Sequence, residues 1–403
     1  MAYETWLESP GTNDYNTASN WSLGFVPGYV YIAFFDSTKV PSLSINSGTQ
    51  IRVGEWIFTP NATQYNFTIG PNNTVFEFIG EGIVINGGSA TITVLPGSSL
   101  NFWNASSAGK ATINSSGSIA FLDVSTGGIA NITNNANVSF NEYSSAGSAT
   151  IHTLTGSSLG FSGNATGGNA QLNTDVSGTV DFASAGPFGN NQLTVGSIEG
   201  AGTYNLGADQ LTVGLKGIST NVSGLVDGSG GSLVIDAGTL TLGHADNTYS
   251  GGTRLEGGIL DVAAVGAAGT GDIAFQGAGK ATLKIDNAGL SGHVFGSNDI
   301  DSFGKHDVLD ITGLHFHAGA TATYHKATHH LTVHSGHVTD TLTLLSPHGM
   351  HFAVANDGHG GSKVTLGPPA HTATVASLSA HDLGGEPLAT DSAIHSGDFL
   401  FVA

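Results

Sequence analysis

The sequence predicts an all-β chain whose short parallel strands stack into a β-solenoid, and two observations carry this prediction. Between residues 87 and 182 one short pattern is repeated five times, with its Ile or Leu anchors spaced 21, 19, 19 and 21 residues apart. A fixed period near 20 residues is typical of solenoids, in which each repeat buries apolar side chains against its neighbours. Inside each copy apolar and polar residues alternate, which is the period of a strand. We therefore expect coils of about 20 residues that stack about 4.8 Å apart.

Each copy supplies two side chains to the expected core. The first is the Ile or Leu that ends the pattern Gly-x-Ala-x-Ile: Ile92, Ile113, Ile132, Ile151 and Leu172. The second is the Phe of the apolar-x-Phe that follows: Phe102, Phe121, Phe140, Phe161 and Phe182. We expect each set to stack as one interior row. Leucine-rich repeats have a similar period, but their L-x-x-L-x-L-x-x-N spacing is absent.

The composition divides the chain into four segments. Residues 1–55 contain two tryptophans and three prolines, and they predict an N-terminal cap over the open strand edges of the first coil. Residues 56–285 form the repeat body, residues 286–369 a His-rich C-terminal β region, and residues 370–403 a tail. Gly accounts for 60 of the 403 residues, which would suit a disordered chain. Hydrophobic residues nevertheless make up 39% and recur in register, which favours a folded solenoid.

The charge of the chain excludes two classes of partner. Its formal value of −20 results from 30 acidic residues against 10 Lys and Arg. Because the basic residues are scattered singly, no patch exists that would neutralise phosphates, which excludes nucleic-acid binding and polybasic attachment to a membrane. No apolar run reaches the roughly 18 residues of a membrane span, so membrane insertion is not expected. Cysteine is absent, as is common in large bacterial surface proteins that rely on repetitive hydrogen bonds.

One stretch of the body carries a family resemblance. The string Asn247-Thr-Tyr-Ser-Gly-Gly-Thr253, within residues 195–285, resembles the autotransporter-associated β-strand repeat. The segment from Asn20 to Gly28 resembles the opening of autotransporter-type passenger domains. These resemblances imply a right-handed parallel β-helix in an exported bacterial surface protein. They do not imply an enzyme, because such scaffolds carry many functions.

A second resemblance concerns calcium. Residues 300–314 are similar to a segment near the C-terminus of RTX proteins, which type I exporters secrete. Asp307 and Asp310 match the acidic positions of that segment, and Asp301 is a neighbour at a variable position. The resemblance implies that these carboxylates help to fold a terminal β-roll around Ca²⁺, a cation that prefers oxygen ligands. The simpler alternative is that Asp310 caps a turn.

The tail predicts the route of export. Residues 396–403 place an acidic residue before a short apolar run, and they resemble the C-terminal signal of type I secretion substrates. The N-terminus shows neither a basic nor an apolar signal region, so we expect a type I exporter as partner and no cleavable signal peptide. A final edge strand is the alternative interpretation of the same residues.

Histidines crowd the C-terminal region, where 15 of the 17 follow residue 292. His315 and His317 are two apart, which predicts two imidazoles on one strand face, and His330 and His334 predict two more. Imidazoles placed in this way can share Zn²⁺ or Cu²⁺. Two alternatives stay open: solvent-facing side chains of a sheet, or a charge switch that offsets the acidic charge in mild acid.

The sequence predicts no catalytic site. Gly156-Ser-Ser-Leu-Gly160 matches the G-x-S-x-G nucleophile pattern, which requires a strand–turn–helix elbow. An earlier repeat has Gly97-Ser-Ser-Leu-Asn101 at the equivalent position, so we interpret the pattern as a repeated turn of the coil. Carboxylates are spread over different coil positions, and Arg52 and Arg254 are the only arginines.

These patterns together predict a non-enzymatic bacterial protein outside the cell or on its surface. We expect a structural or adhesive role in a surface layer, matrix or filament. Its partner would be other copies of the chain or a cell-surface polysaccharide, and strand edges at the solenoid ends favour self-assembly. The alternative is a carbohydrate-binding or polysaccharide-degrading β-helix protein, which aromatic and carboxylate side chains on one face would favour. Calcium is the one expected cofactor.

Overall fold

Strands make up almost all of the regular structure, and the computed structural model describes residues 3–185 and 191–367. The first strands are β1 (Tyr3–Thr5), β2 (Ile32–Phe35), β3 (Ser42–Ile45), β4 (Gln50–Phe58), β5 (Gln64–Ile69), β6 (Val75–Ile85), β7 (Ser89–Val94), β8 (Ser99–Phe102), β9 (Thr112–Ser115), β10 (Ser118–Phe121), β11 (Asn131–Asn134), β12 (Asn137–Phe140), β13 (Thr150–Thr153), β14 (Ser158–Gly163), β15 (Gln171–Thr174) and β16 (Thr179–Ala185). The tail at residues 370–403, with its predicted secretion signal, lies outside the described residues.

The later strands become shorter and less regular. They are β17 (Gln192–Thr194), β18 (Ser197–Gly200), β19 (Thr203–Asn205), β20 (Gln210–Val213), β21 (Ser219–Val222), β22 (Val226–Asp227), β23 (Ser232–Ile235), β24 (Thr239–Leu242), β25 (Thr253–Leu255), β26 (Ile259–Val262), β27 (Ile273–Phe275), β28 (Thr282–Ile285), β29 (Val294–Asp301), β30 (Val308–Ile311), β31 (Thr321–His325), β32 (His330–Ser335), β33 (Val338–Leu344), β34 (Phe352–Asn356) and β35 (Ser362–Leu366). Within the described ranges the only helical segments are two 3₁₀ turns, Ala18–Asn20 and Asn287–Gly289.

The strands form three long sheets, because successive coils add strands to the same sheets. An 11-stranded sheet has the order β1-β2-β4-β6-β8-β10-β12-β14-β16-β19-β22. A 15-stranded sheet has the order β3-β5-β7-β9-β11-β13-β15-β18-β21-β24-β26-β28-β30-β35-β34. A nine-stranded sheet, β17-β20-β23-β25-β27-β29-β33-β32-β31, begins before the 11-stranded sheet ends at β22 and continues beyond it. Neighbouring strands are parallel until the C-terminal end, so the predicted all-β solenoid is confirmed.

The two predicted core rows are confirmed. The first anchors pair in register from one coil to the next, for example Ile113 with Ile132 and Ile132 with Ile151, and they are buried. The Phe rings stack with centroids 4.7, 4.5, 5.2 and 5.3 Å apart from Phe102 to Phe182. Alternation within each strand therefore points one set of side chains inwards, and the coil period aligns that set along the axis.

Glycine makes the corner of each body coil possible. Gly109, Gly128 and Gly147 occupy equivalent corners with φ of 60°, 61° and 64°, a left-handed backbone that side chains disfavour. A Cβ atom on Gly128 would lie 2.5 Å from the carbonyl oxygen of Gly109 in the preceding coil. Close stacking of coils therefore requires glycine at this position for two independent reasons.

Aromatic side chains fill the N-terminal end. Trp6 and Trp21 are both buried and meet edge to face, with ring centroids 5.2 Å apart. The Trp21 indole N–H donates to the Tyr15 carbonyl oxygen at 2.8 Å, which satisfies the one polar group of the ring. The parallel ladder already begins here, because β1, β2 and β4 pair within the first 58 residues.

The C-terminal end replaces parallel stacking with antiparallel pairing. Parallel pairing continues past residue 285, where β28 pairs with β30 and β29 pairs with β33. The strands β31, β32 and β33 then form an antiparallel ribbon, and β35 pairs antiparallel with both β30 and β34. In the part of the chain that the structure describes, no helix is long and apolar enough to cross a membrane.

Candidate binding surfaces

The outer side of the 15-stranded sheet carries two columns of hydroxyl and amide side chains, which we name the hydroxyl–amide face. One column contains Ser42, Asn66, Thr91, Thr112, Asn131, Thr150 and Gln171. The other contains Ser44, Thr68, Thr93, Asn114, Thr133, His152 and Asn173. Because parallel strands lie about 4.8 Å apart, each column presents a polar group at that regular spacing.

The face is bounded by charged groups at its far end. Its one imidazole, His152, lies 2.8 Å from the carboxylate of Asp175 through Nε2. Beyond the last coil, Glu199 Oε1 accepts hydrogen bonds from Gln171 and Asn173 at 3.1 and 3.3 Å. Apart from His152, the two columns of this face contain only hydroxyl and amide side chains, without an acidic or basic residue.

Further along the same sheet the outward column becomes a row of alternating charge. Asp261, Lys284, Asp310 and Lys363 lie opposite one another on consecutive strands. Lys284 Nζ lies 2.8 Å from Asp261 Oδ2. Burial raises the pKa of Asp310, Asp357 adds to that effect, and the two lysines oppose it. Asp310 therefore belongs to a cross-strand charge row.

The other two residues of the predicted calcium site have different surroundings. Asp301, at the end of β29, accepts a hydrogen bond from the Ser302 backbone N–H at 2.8 Å. Asp307 is buried, and its Oδ2 accepts from the Gly304 N–H at 2.8 Å. Among the described residues, no group of three or more His, Asp or Glu is placed to hold one metal ion. Calcium binding at Asp301, Asp307 and Asp310 stays a prediction, and it would use these residues at separate places.

His315 and His317 are neighbours, although they do not lie in a strand. Their ring centroids are 5.2 Å apart, and both side chains are exposed in the loop between β30 and β31. The backbone here bonds to Ser335 and Gly360 instead of a strand ladder: Ser335 Oγ donates to the His315 carbonyl at 2.7 Å, and the Phe316 N–H donates to the Gly360 carbonyl at 2.9 Å. The prediction of a shared strand face was wrong in its secondary structure, whereas metal binding by the pair stays a prediction.

His330 and His334 lie on one face of β32, opposite the buried Leu331 and Val333, as predicted. Four residues along a strand span about 13 Å, so these two imidazoles do not meet. The cross-strand neighbour of His330 is His325 on β31, whereas His334 Nδ1 lies 2.9 Å from Thr339 Oγ1. A shared ion is therefore possible for His330 with His325, and not for His330 with His334.

Sequence reasoning missed a cavity of about 310 Å³ near the N-terminal end, which we name the acidic groove. Its lining residues are Val30, Tyr31, Ile32, Gly54, Glu55, Ile79, Gly80, Glu81, Asn104 and Ala105. Glu55 is only 7% exposed. Burial raises the pKa of the Glu55 carboxyl, and the charge of Glu81 raises it further. The repeated Gly-Glu pairs at 54–55 and 80–81 are the signal that could have revealed it.

The G-x-S-x-G string has the predicted structural role. Ser158 begins β14 and pairs with Asn137, which in turn pairs with Ser118, which pairs with Ser99 of the earlier repeat. Its hydroxyl donates to Asn137 Oδ1 at 2.9 Å. The serine therefore occupies a repeated position at the start of a strand and not the turn before a helix.

Comparison with known proteins gives one match. The passenger-associated-transport-repeat family matches residues 234–262, which run from β23 through β26. No curated protein and no solved structure matches the chain. The match lies inside the stretch that resembles an autotransporter repeat, and together with the β-solenoid it fits an exported, extracellular passenger-like protein.

Proposed function

We propose that this chain is a non-enzymatic bacterial surface or matrix protein with a structural or adhesive role. The hydroxyl–amide face is the observation that carries the proposal, because it displays polar groups at regular spacing over seven coils. Hydroxyl and amide groups both donate and accept hydrogen bonds, which suits the hydroxyl groups of a neutral polysaccharide. Many weak contacts in a row add up to firm attachment by multivalency.

Retention on polysaccharide and on cells tests the adhesive role. The purified chain is incubated with insoluble neutral polysaccharides and with bacterial cells, and the depleted fraction is measured. Replacing Thr91, Thr112 and Thr133 by Lys should abolish retention. The matched control is Ser139→Lys on the outer side of the 11-stranded sheet, which should bind normally. Equal retention of both variants would contradict the proposal.

Self-association is the second part of the proposal. The nine- and 15-stranded sheets end in the edge strands β31 and β34, and unpaired strand edges can pair with another copy. The charge of −20 opposes close packing of copies, so we propose that Ca²⁺ promotes association by screening and by binding carboxylates. Particle size measured in calcium and in chelator tests this, and identical sizes would contradict it.

A carbohydrate-active protein is the second candidate. The acidic groove favours it, because two carboxylates and Tyr31 line one cavity. Loss of reducing-end release from polysaccharides on Glu55→Gln would support this candidate. If the intact chain releases no reducing ends from polysaccharides, the structural or adhesive role is the candidate that remains.

Export through a type I exporter is proposed from the tail resemblance. Deleting residues 397–403 should trap the protein inside the cell while leaving its circular dichroism unchanged. Normal secretion of this truncation would show that the tail carries no such signal.

A further inference from the structure

The Glu55 carboxylate has surroundings that its own fold does not explain. Its side chain is more than nine-tenths buried and faces the acidic groove. Within residues 3–185 and 191–367, no hydrogen-bond donor or cation pairs with it. Its carboxylate oxygens are not among the fully enclosed side-chain atoms that lack a partner, so they open onto the groove and a ligand there can reach them.

Backbone irregularity builds this site. The pairing of β4 with β6 shifts register between Val53 and Glu55, which is a β-bulge. Glycine at 54 and 80 allows the bulged backbones to approach each other, since a Cβ on Gly80 would lie 2.6 Å from the Gly54 carbonyl oxygen. Bulges redirect side chains and recur beside functional sites. Here the bulge brings Glu55 and Glu81 to the same cavity on neighbouring coils.

The cavity combines apolar walls with negative charge. Val30, Ile32, Ile79 and Ala105 form the apolar part of the lining, and Glu55 and Glu81 are its charged groups. This combination suits an aliphatic stem that ends in a cation, because the methylenes contact the walls while the charged head reaches the carboxylates. Ca²⁺ suits it less, because that ion takes six to eight oxygen ligands.

We propose that the acidic groove binds an alkylammonium group, of the kind a lysine side chain presents, from a partner molecule. The chain itself carries 30 acidic and only 10 basic side chains, so charge complementarity favours a basic partner over a second copy. Lys110 is the candidate within the chain, because it lines an adjoining cavity that shares Glu81 and Ala105 and forms no ion pair in the described ranges.

Saturation-transfer NMR with the full chain tests the proposal. The probe is the capped tripeptide acetyl-Gly-Lys-Gly-amide, and the control probe carries an Nε-acetylated lysine. The lysine methylene protons should receive saturation, and the acetylated peptide should not. Glu55→Gln should weaken binding about tenfold or more, because it removes the buried partner of the ammonium. Glu142→Gln, an exposed carboxylate at a coil corner, should bind as the unmodified chain does.

Further variants separate the remaining outcomes. Ala105→Leu fills the cavity from an exposed turn without changing charge, so it should also abolish binding if the stem occupies the groove. Equal saturation of both peptides, or binding unaffected by Glu55→Gln and Ala105→Leu, overturns the proposal. If the peptide binds only to the Lys110→Met variant, Lys110 fills the groove in the unmodified chain, and this result also overturns the proposal. Displacement of the peptide by CaCl₂ alone at equimolar concentration would assign the site to a metal ion and would overturn the proposal.

Discussion

The regular body between residues 89 and 182 and the C-terminal region between residues 294 and 366 pair their strands in different ways. In the body the coils repeat the same side chains, so the strands pair parallel and in register, with one register shift between β14 and β16. In the C-terminal region the repeat is lost, and β31, β32, β34 and β35 pair antiparallel. Repetition therefore supports extension of the solenoid. Its loss allows strands to fold back, so the last strands of two sheets, β31 and β34, are antiparallel edges instead of parallel ones.

The largest expected difference between the two regions concerns their aromatic side chains. Phe121→Ala should lower the free energy of unfolding by about 3–5 kcal/mol, because the ring is fully buried between Phe102 and Phe140. Phe352→Ala should cost only about 1–2 kcal/mol, because that ring is partly buried. Urea unfolding followed by circular dichroism measures both, and equal costs would show that stacking adds nothing in the body.

Two glycines with nearly the same backbone angle sharpen the comparison. Gly128 in the body and Gly292 near the C-terminal region have φ of 61° and 57°. Gly292→Ala should cost about 1 kcal/mol, since only the left-handed backbone is strained there. Gly128→Ala should cost roughly 3 kcal/mol, because its Cβ also collides with the neighbouring coil. Chemical unfolding of the two variants measures the difference between their losses in free energy of unfolding. Equal losses would mean that neighbouring coils can move apart to accommodate the Cβ atom.

The alternating charge row should stabilise the C-terminal half of the 15-stranded sheet. Lys284→Met leaves the carboxylates of Asp261 and Asp286 without their shared cation and removes one of the two lysine charges near Asp310, so it should cost roughly 1–2 kcal/mol. Lys39→Met is the control, because its ion pair with Glu8 is exposed and should contribute almost nothing. Thermal unfolding of both variants tests this. Equal melting temperatures would show that the charge row does not contribute to stability.

Mild acid should stabilise the fold by a smaller amount. Carboxyl groups outside the regular body have a pKa that burial raises: Glu55, Asp209, Asp227, Asp310 and Asp340. A raised pKa favours the neutral form in the folded state, so stability increases as the pH falls from 7 towards the usual values of 3.8 and 4.5. The melting temperature should therefore rise as the pH is lowered from 7 towards 4.5.

Two variants dissect this pH dependence. Glu55→Gln should flatten the rise, because the neutral amide never bears the buried charge. Glu77 works in the opposite sense: burial acts to raise its pKa, but hydrogen bonds from Arg52, Gln50 and Asn101 outweigh burial and lower it. Its contribution is present above the usual value of 4.5 and is lost as the pH falls through its lowered pKa, so Glu77→Gln should lower stability at pH 7. A melting temperature that falls between pH 7 and pH 5 would contradict the whole scheme.

The sequence by itself determined the strand alternation, the coil period and the two core rows. These depend on equivalent residues that recur at a fixed spacing, so the same side chain of each coil contacts its counterpart in the next. Ile113 and Phe121 were therefore predictable without knowing the path of the chain between them. The charge row at Asp310 was not, because its partner Lys363 comes from an antiparallel strand that no repeat announces.

Tertiary structure alone decided where the chemistry-bearing side chains meet. Glu55 and Glu81 share a cavity because a bulge shifts the pairing of β4 with β6 by two residues, from Val53 opposite Phe78 to Glu55 opposite Gly82. His330 meets His325 rather than His334, because the separation along a strand is fixed whereas the partner across strands depends on the fold-back. The coil period therefore determines which side chains stack along the solenoid axis. Irregular strand pairing determines which other side chains meet, and it leaves no periodic pattern in the sequence.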